Sequence, residues 1–227
     1  MNELSLFTGG GGGVWASKLL GHRIVGYVER DEYCQKIIRQ RIKDGHWDDA
    51  PLFSDVRTFD GLPYRGRVDL VSGGFPCQPF SSATRGRKTA PDLWPEMLRV
   101  IREVRPRAVF CENVTTTAIR RAAEDCEALG YQTKAVRLSA ADLGADHIRS
   151  RCWLLAYSDG YGELCRKINA EMEVQPSVCP SVWETYPDES RMDDGMADWG
   201  DRIRALGNGQ VPAVAVRAWE ILTNNAS

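Results

Sequence analysis

Residues 4–20, LSLFTGGGGGVWASKLL, set five consecutive glycines, Gly9 to Gly13, between a short apolar run and a helical pattern. Glycine carries no Cβ and so populates turn conformations freely, which suits a tight strand-to-helix connection and makes strand, sharp turn and helix the expected order. The same alternation then continues down the chain. RIVGYVE (Arg23 to Glu29) reads as a second strand, and DEYCQKIIRQRIKDG as a helix with Cys34, Ile37, Ile38 and Ile42 on one side and charges opposite. VDLVSGG reads as a strand entering another glycine turn, LWPEMLRVIREVRP as a helix stopped by Pro106, and RAVFCENV as a further strand. AIRRAAEDCEALG is a helix closed by Gly130, followed by the strand-like YQTKAVRL and CWLLAYS. Strand and helix in strict alternation predict a doubly wound α/β domain, with a mostly parallel sheet and helices on both faces.

The texture changes after Tyr157. Residues 158–200 are rich in Gly, Pro, Asp and Ser and show no sustained periodicity, which predicts a small loop-rich insert. Residues 201–227 end in one more helix, with Pro212 near its first turn. Three regions are therefore expected: an α/β domain over 1–157, the insert over 158–200, and a C-terminal segment and helix over 201–227 that return to the domain.

Bulk composition narrows the classes. A chain of 227 residues, 43% hydrophobic, can bury a full core, and its net charge of -2 requires any polyanion site to be a local patch. The seven cysteines are odd in number, widely spaced and without a C-x-x-C pair, which speaks against a disulfide framework and against a zinc site; no metal is expected. No apolar run approaches the roughly 18 residues of a membrane span, and the N-terminus lacks a secretory pattern. A cytoplasmic, monomeric protein is expected.

Two features carry chemistry. The glycine run, followed by an acidic residue at the end of the second strand, Glu29, has the arrangement that binds a nucleoside-containing cofactor, without separating a nicotinamide dinucleotide from S-adenosylmethionine. The second feature is Cys77, in GGFPCQPFSSATR (Gly73 to Arg85), just past the strand VDLV and hence in the same crevice at the carboxyl ends of the strands. Arg85, Arg87 and Lys88 follow within a dozen residues and can favour a thiolate. Cys34, Cys126 and Cys152 lie in apolar helical or strand patterns and read as core residues.

GGFPCQPFSSA resembles the catalytic loop of the DNA cytosine-5 methyltransferases, and other landmarks of that family stand in family order from Leu4 to Pro212. LSLFTGGGGG resembles the cofactor loop, YVERD the ribose-binding acid, SDVRTF the pair that holds adenine, ENV the base-reading carboxylate, HIRSRCW the two-arginine motif, and RALGNGQVP the closing motif. The compact arrangement is similar to versions carried by bacteriophages and prophages. The resemblance implies a Rossmann-like fold that binds S-adenosylmethionine through Phe7, Thr8, Gly9, Gly11, Gly12, Glu29, Asp55, Val56, Gly74, Pro76, Leu93, Asn208 and Gly209. It implies a duplex-DNA substrate contacted by Gln78, Ser81, Arg85, Arg87 and Lys88, and catalysis by Cys77, Glu112, Arg149 and Arg151 on a cytosine flipped out of the helix. A bacterial host cytoplasm and a restriction-modification setting go with it.

The sequence departs from the family pattern at several points. Ser5 stands where the first strand usually has an acid, and His147 where a Gln is usual. Gly10 and Gly12 replace bulkier residues, which predicts a more flexible cofactor loop and a roomier pocket. The 158–200 insert is short for a recognition domain; its Trp183, Glu184 and Arg191 match the compact relatives. Two other readings stay open at this stage: a transfer-RNA cytosine-5 methyltransferase, although the Cys-Phe-Thr signature of that branch is absent from Leu164 to Trp183, and a non-catalytic cofactor- and DNA-binding relative.

Overall fold

The structure, a computed structural model, describes residues 1–76, 91–158 and 209–224. Seven strands form one sheet: β1 (Asn2–Leu6), β2 (Arg23–Val28), β3 (Leu52–Phe53), β4 (Leu70–Gly74), β5 (Ala108–Asn113), β6 (Gln132–Leu138) and β7 (Arg151–Tyr157). The helices are α1 (Gly12–Leu19), α2 (Glu32–Lys43), α3 (Trp94–Val104), α4 (Thr116–Glu127) and α5 (Pro212–Asn224). The strand order is β3-β2-β1-β4-β5-β7-β6. Pairing is parallel from β3 through β5, whereas β7 runs antiparallel to both β5 and β6. The expected doubly wound, mostly parallel sheet is present. Its order reverses at β1, and a crevice for ligands opens where neighbouring connections leave on opposite faces.

Local sequence explains the elements. Asp31 caps α2 by accepting from the Cys34 amide at 3.1 Å, and Thr115 caps α4 by accepting from Ala118 at 3.2 Å. Pro95 lies in the first turn of α3 with Glu96, and the helix closes on Arg105 in the left-handed region, just before Pro106. The strands of the sheet centre read as continuous apolar runs because both of their faces are covered.

Two apolar layers flank the sheet. On one face Trp94, Met97, Ile101 and Val104 of α3 and Ile119, Ala122 and Cys126 of α4 pack on Leu4, Val71, Val109 and Leu154. On the other, Ala16 and Leu20 of α1 and Val214, Ala218, Trp219 and Leu222 of α5 pack on Leu70, Phe110 and Trp153. Each of these large side chains contributes about 1.5–3 kcal/mol on burial. Cys34, Cys126 and Cys152 are buried free thiols, as expected of core residues. The C-terminal helix thus completes the layer begun by α1, so the end of the chain returns to its start.

Residues on either side of 77–90 are drawn together by three contacts. The Leu93 amide donates to the Pro76 carbonyl at 3.1 Å, the Phe75 ring packs on Trp94 with centroids 4.9 Å apart, and Asn113 Nδ2 donates to the Phe75 carbonyl at 2.9 Å. Trp94 Nε1 in turn donates to Asp125 of α4 at 2.7 Å. This neck fixes the end of β4 beside the end of β5.

Candidate active site

The glycine turn that follows β1 begins with Phe7 in the left-handed region, at φ 52, a conformation a bulky residue adopts only when its surroundings hold it there. The Thr8 amide donates to the Val28 carbonyl at 3.2 Å, and its hydroxyl lies 3.1 Å from that of Ser5. Glu29, at the end of β2, accepts from the Gly9 amide at 2.6 Å and from the Asp31 amide at 2.7 Å, one on each carboxylate oxygen. Each oxygen keeps a second lone pair, so the group can still accept from a hydroxyl pair placed in the crevice. The glycine turn and Glu29 therefore form one unit across the β1–β2 edge.

The pocket expected to be roomier at the glycines is filled. A β-carbon on Gly11 would collide with the Trp47 ring, and one on Gly12 with the Gln210 carbonyl. A β-carbon on Gly13 would stand 2.6 Å from Gln210 Oε1. These three glycines are required by close packing from remote parts of the chain, so the run is not spare backbone. Flexibility was the wrong inference for Gly12 because sequence spacing does not reveal which segment lies against it.

Further along the crevice, Asp55 is held by Arg57, whose Nη2 approaches to 2.5 Å and whose Nε donates to both carboxylate oxygens, and this pairing brings the Asp55 carboxyl down to about 2. Val56 is buried in the core, with its carbonyl accepting from Arg99 at 2.6 Å. Leu93 and Pro76 are the two residues that close the neck.

At the end of β5 stands Glu112, 7% exposed. Arg151 Nε, at the start of β7, lies 2.8 Å from its Oε1. Burial pushes the Glu112 carboxyl up to about 7, against the lowering pull of Arg151 and then Arg149. Gly74 makes the room: a β-carbon there would stand 2.7 Å from Glu112 Oε2. Such a carboxyl sits between acid and anion near neutrality, as a group that passes or lends a proton must. The antiparallel register pairs Glu112 with Trp153 and Asn113 with Cys152, which brings the arginine segment alongside.

The two arginines divide. Arg151 pairs with Glu112, whereas Arg149 reaches across to the Gly209 carbonyl at 2.5 Å and so anchors the segment that leads into α5. Sequence spacing put both on one face of an extended segment, but β7 begins only at Arg151. Cys77, Gln78, Ser81, Arg85, Arg87, Lys88 and Asn208 lie outside the described residues, as do 159–200. Among the described residues no group of His, Cys, Asp and Glu could hold a metal ion, and no helix is long and apolar enough to cross a membrane.

Sequence reasoning missed a second polar cluster beneath the glycine turn. Glu3 on β1, 1% exposed, accepts from the Ser17 hydroxyl of α1 at 2.8 Å, from the Ser72 hydroxyl of β4, and from His22 Nδ1 at 2.8 Å. The His22 ring meets Trp219 of α5 edge to face, with centroids 5.2 Å apart. A cavity of about 50 Å³ joins this cluster to the glycine turn, Gly74, Glu112 and Gln210. The available signal was the period of two in β1, which sets Glu3 and Ser5 on one face.

Comparison with known proteins agrees with this arrangement. The profile of the C-5 cytosine-specific DNA methylase family matches residues 1–199. The chain is 32% identical to the type II methyltransferase M.NgoMIV of Neisseria gonorrhoeae over 70% of its length, and 27% identical to M.CviJI of Paramecium bursaria Chlorella virus IL3A over 83%. It spans about half the length of these relatives, 52% and 50%. Among solved structures it is similar in fold to S. pombe Dnmt2 methyltransferase, with a TM-score of 0.57, 22% identity, and coverage of 70% of this chain and 51% of that one. It is similar also to a protein described as a DNA modification methyltransferase encoded within an E. coli prophage, with a TM-score of 0.55, 24% identity, and coverage of 71% and 47%. With the ordered sheet, the glycine turn and the Glu112–Arg151 pair, the match over residues 1–199 means that the chain belongs to the C-5 cytosine-specific DNA methylase family.

Proposed function

We propose that the protein transfers a methyl group from S-adenosylmethionine to C5 of a cytosine flipped out of duplex DNA, by way of a covalent bond between Cys77 and C6. The observation that carries this reading is Glu112, a buried carboxyl balanced near neutrality, paired with Arg151 and set beside the neck from which the segment bearing Cys77 departs. Bound S-adenosylmethionine supplies an electrophilic methyl on a sulfonium. The glycine turn, Phe7 and the Glu29 carboxylate fit such a donor: the turn offers backbone amides near a helix start, and Glu29 offers acceptor lone pairs for ribose hydroxyls.

C5 of cytosine is a weak nucleophile. Addition of the Cys77 thiolate to C6 forms the S–C6 bond, moves the ring's electron pair toward C5 and builds negative charge at N3 and O2. Glu112 holds the proton that neutralises N3, and Arg151 takes the charge at O2. C5 then bonds the methyl carbon, the C5 proton leaves, and the S–C6 bond breaks to release Cys77. Arg149 holds the closing segment through Gly209, and Gln78, Ser81, Arg85, Arg87 and Lys88 contact the DNA. Asp55, Val56, Leu93, Gly74, Pro76 and Asn208 complete the donor site. The protein acts as a monomer in the cytoplasm of a bacterial host, in a phage-type setting.

The test is incubation of the purified protein with S-adenosylmethionine and duplex DNA, followed by mass spectrometry of the nucleosides. Formation of 5-methyldeoxycytidine, lost in Cys77→Ser with donor binding retained, is the expected result. Methylation of transfer RNA in preference to duplex DNA would replace the substrate assignment, and turnover by Cys77→Ser would remove the thiolate from the mechanism.

A further inference from the structure

Gln210 belongs to none of the roles above, yet it touches both halves of the site. Its carbonyl lies against Gly12, its side-chain Oε1 faces Gly13, and its Nε2 faces Gly74, 3.2 Å from the point where a β-carbon there would stand. Glu112 Oε2 is 2.7 Å from that same point. One side-chain amide therefore reaches from the first turn of α1 to the carboxyl at the end of β5. Gly11, the residue that caps α1, has no side chain to satisfy the first-turn amides. The chemistry of the termini fixes which way the amide points: its oxygen faces donors at the start of α1, and its nitrogen faces the carboxyl.

We propose that Gln210 is a positioning residue for methyl transfer, its amide nitrogen holding the Glu112 carboxyl toward the base while its oxygens fix the glycine turn that carries the methyl donor. This inference rests on the reading of Glu112 given above. It explains why three glycines are needed at the site: Gly12 and Gly13 admit Gln210, and Gly74 admits the amide and the carboxyl together. It also gives Arg149 its purpose, since its bond to the Gly209 carbonyl holds the residue preceding Gln210. Among the described residues the titratable and charged groups facing Glu112 are Arg151 at the start of β7, Arg149 before it, and the thiols of Cys111 on β5 and Cys152 on β7. Gln210 adds a neutral donor to that set. A donor to the ionised carboxylate favours the charged form, so its removal must raise the pH at which Glu112 titrates.

The experiment follows the infrared carboxylic-acid band of the whole protein against pH, assigned to Glu112 by its disappearance in Glu112→Gln. In Gln210→Met, which keeps length and loses the amide, the midpoint is expected to move up by on the order of one pH unit. Gln210→Glu, which sets a second carboxyl opposite, is expected to move it further in the same direction. Single-turnover methyl transfer by Gln210→Met is expected to fall about tenfold with donor affinity changed less than about threefold, and the pH limb of the rate should follow the band. An unmoved midpoint in both variants, or equal losses of rate and donor affinity with the pH limb in place, overturns the proposal and leaves Gln210 as packing. The band needs no turnover, so a wild-type protein that shows it but does not methylate DNA refutes the assigned reaction without touching Gln210.

Discussion

Two buried carboxyls, Glu3 and Glu112, line the same cavity and are built in opposite ways. Glu3 accepts from hydroxyls on α1 and β4 and from a ring nitrogen just before β2, so its lone pairs are spent on joining elements. Glu112 has one cationic partner at 2.8 Å, a glycine cleared in front of it and a titration point raised to about 7. The contrast teaches how one fold separates stability from chemistry. A carboxyl surrounded by donors from several elements is a joint, whereas one held deep in the protein with a single counter-charge is a proton-carrying group.

The largest effect is expected at the joint. Glu3→Ala leaves two buried hydroxyls and a ring nitrogen without their acceptor and should cost about 3 kcal/mol or more of unfolding free energy in a urea titration. The folded fraction should keep its single-turnover rate. If Glu3→Gln instead slowed methyl transfer with stability intact, the division between the two carboxyls would fail.

At the proton-carrying site, Glu112→Gln should reduce single-turnover methyl transfer on the order of a hundredfold, with equilibrium DNA binding little changed. Equal losses of both would make Glu112 a substrate-positioning group. Its effect on stability sharpens the comparison through pH. The folded Glu112 carboxyl titrates above its unfolded value of 4.5, so the folded state holds more protons between about 4.5 and 7 and this group's contribution declines as pH rises through that window. Glu112→Gln abolishes the decline. Its stability relative to the native protein should therefore improve from pH 4 to pH 8, by about 2–3 kcal/mol, as read by denaturant midpoints at each pH. A difference independent of pH would place the Glu112 titration elsewhere.

The smallest effect lies away from both. Trp94→Phe keeps a ring against Phe75 and loses the bond to Asp125, so about 1 kcal/mol of stability should be lost. A much larger loss, or an altered rate, would show that the neck beside Glu112 depends on that bond.

Much of this architecture was legible in the chain. Strand and helix periods placed β1, β2, β4 and β5 in order, Pro106 and Gly130 marked helix ends, and Glu29 and Glu112 fell at strand ends where a crevice had to be. What escaped depended on contacts between distant residues. The two-residue β3 is too short to show a period, and the reversal of β7 between β5 and β6 is a pairing choice that no local pattern encodes. Gln210 was passed over because nothing near it in sequence announces that it will lie against Gly12 and Gly74. The glycine run was read as freedom, when its absent side chains are occupied by Trp47 and Gln210.

The tie between Pro76 and Leu93 has a consequence for how such a chain can diversify. Because the fold itself clamps these two residues, the entropy of bringing them together is settled independently of what is strung between them. Lengthening a connection whose ends are fixed costs only about 0.6 kcal/mol per doubling. The stretch from 77 to 90 is thereby separable from the rest as a cassette. Its length and composition can be exchanged to suit new DNA contacts while the sheet, the glycine turn and Glu112 keep their places.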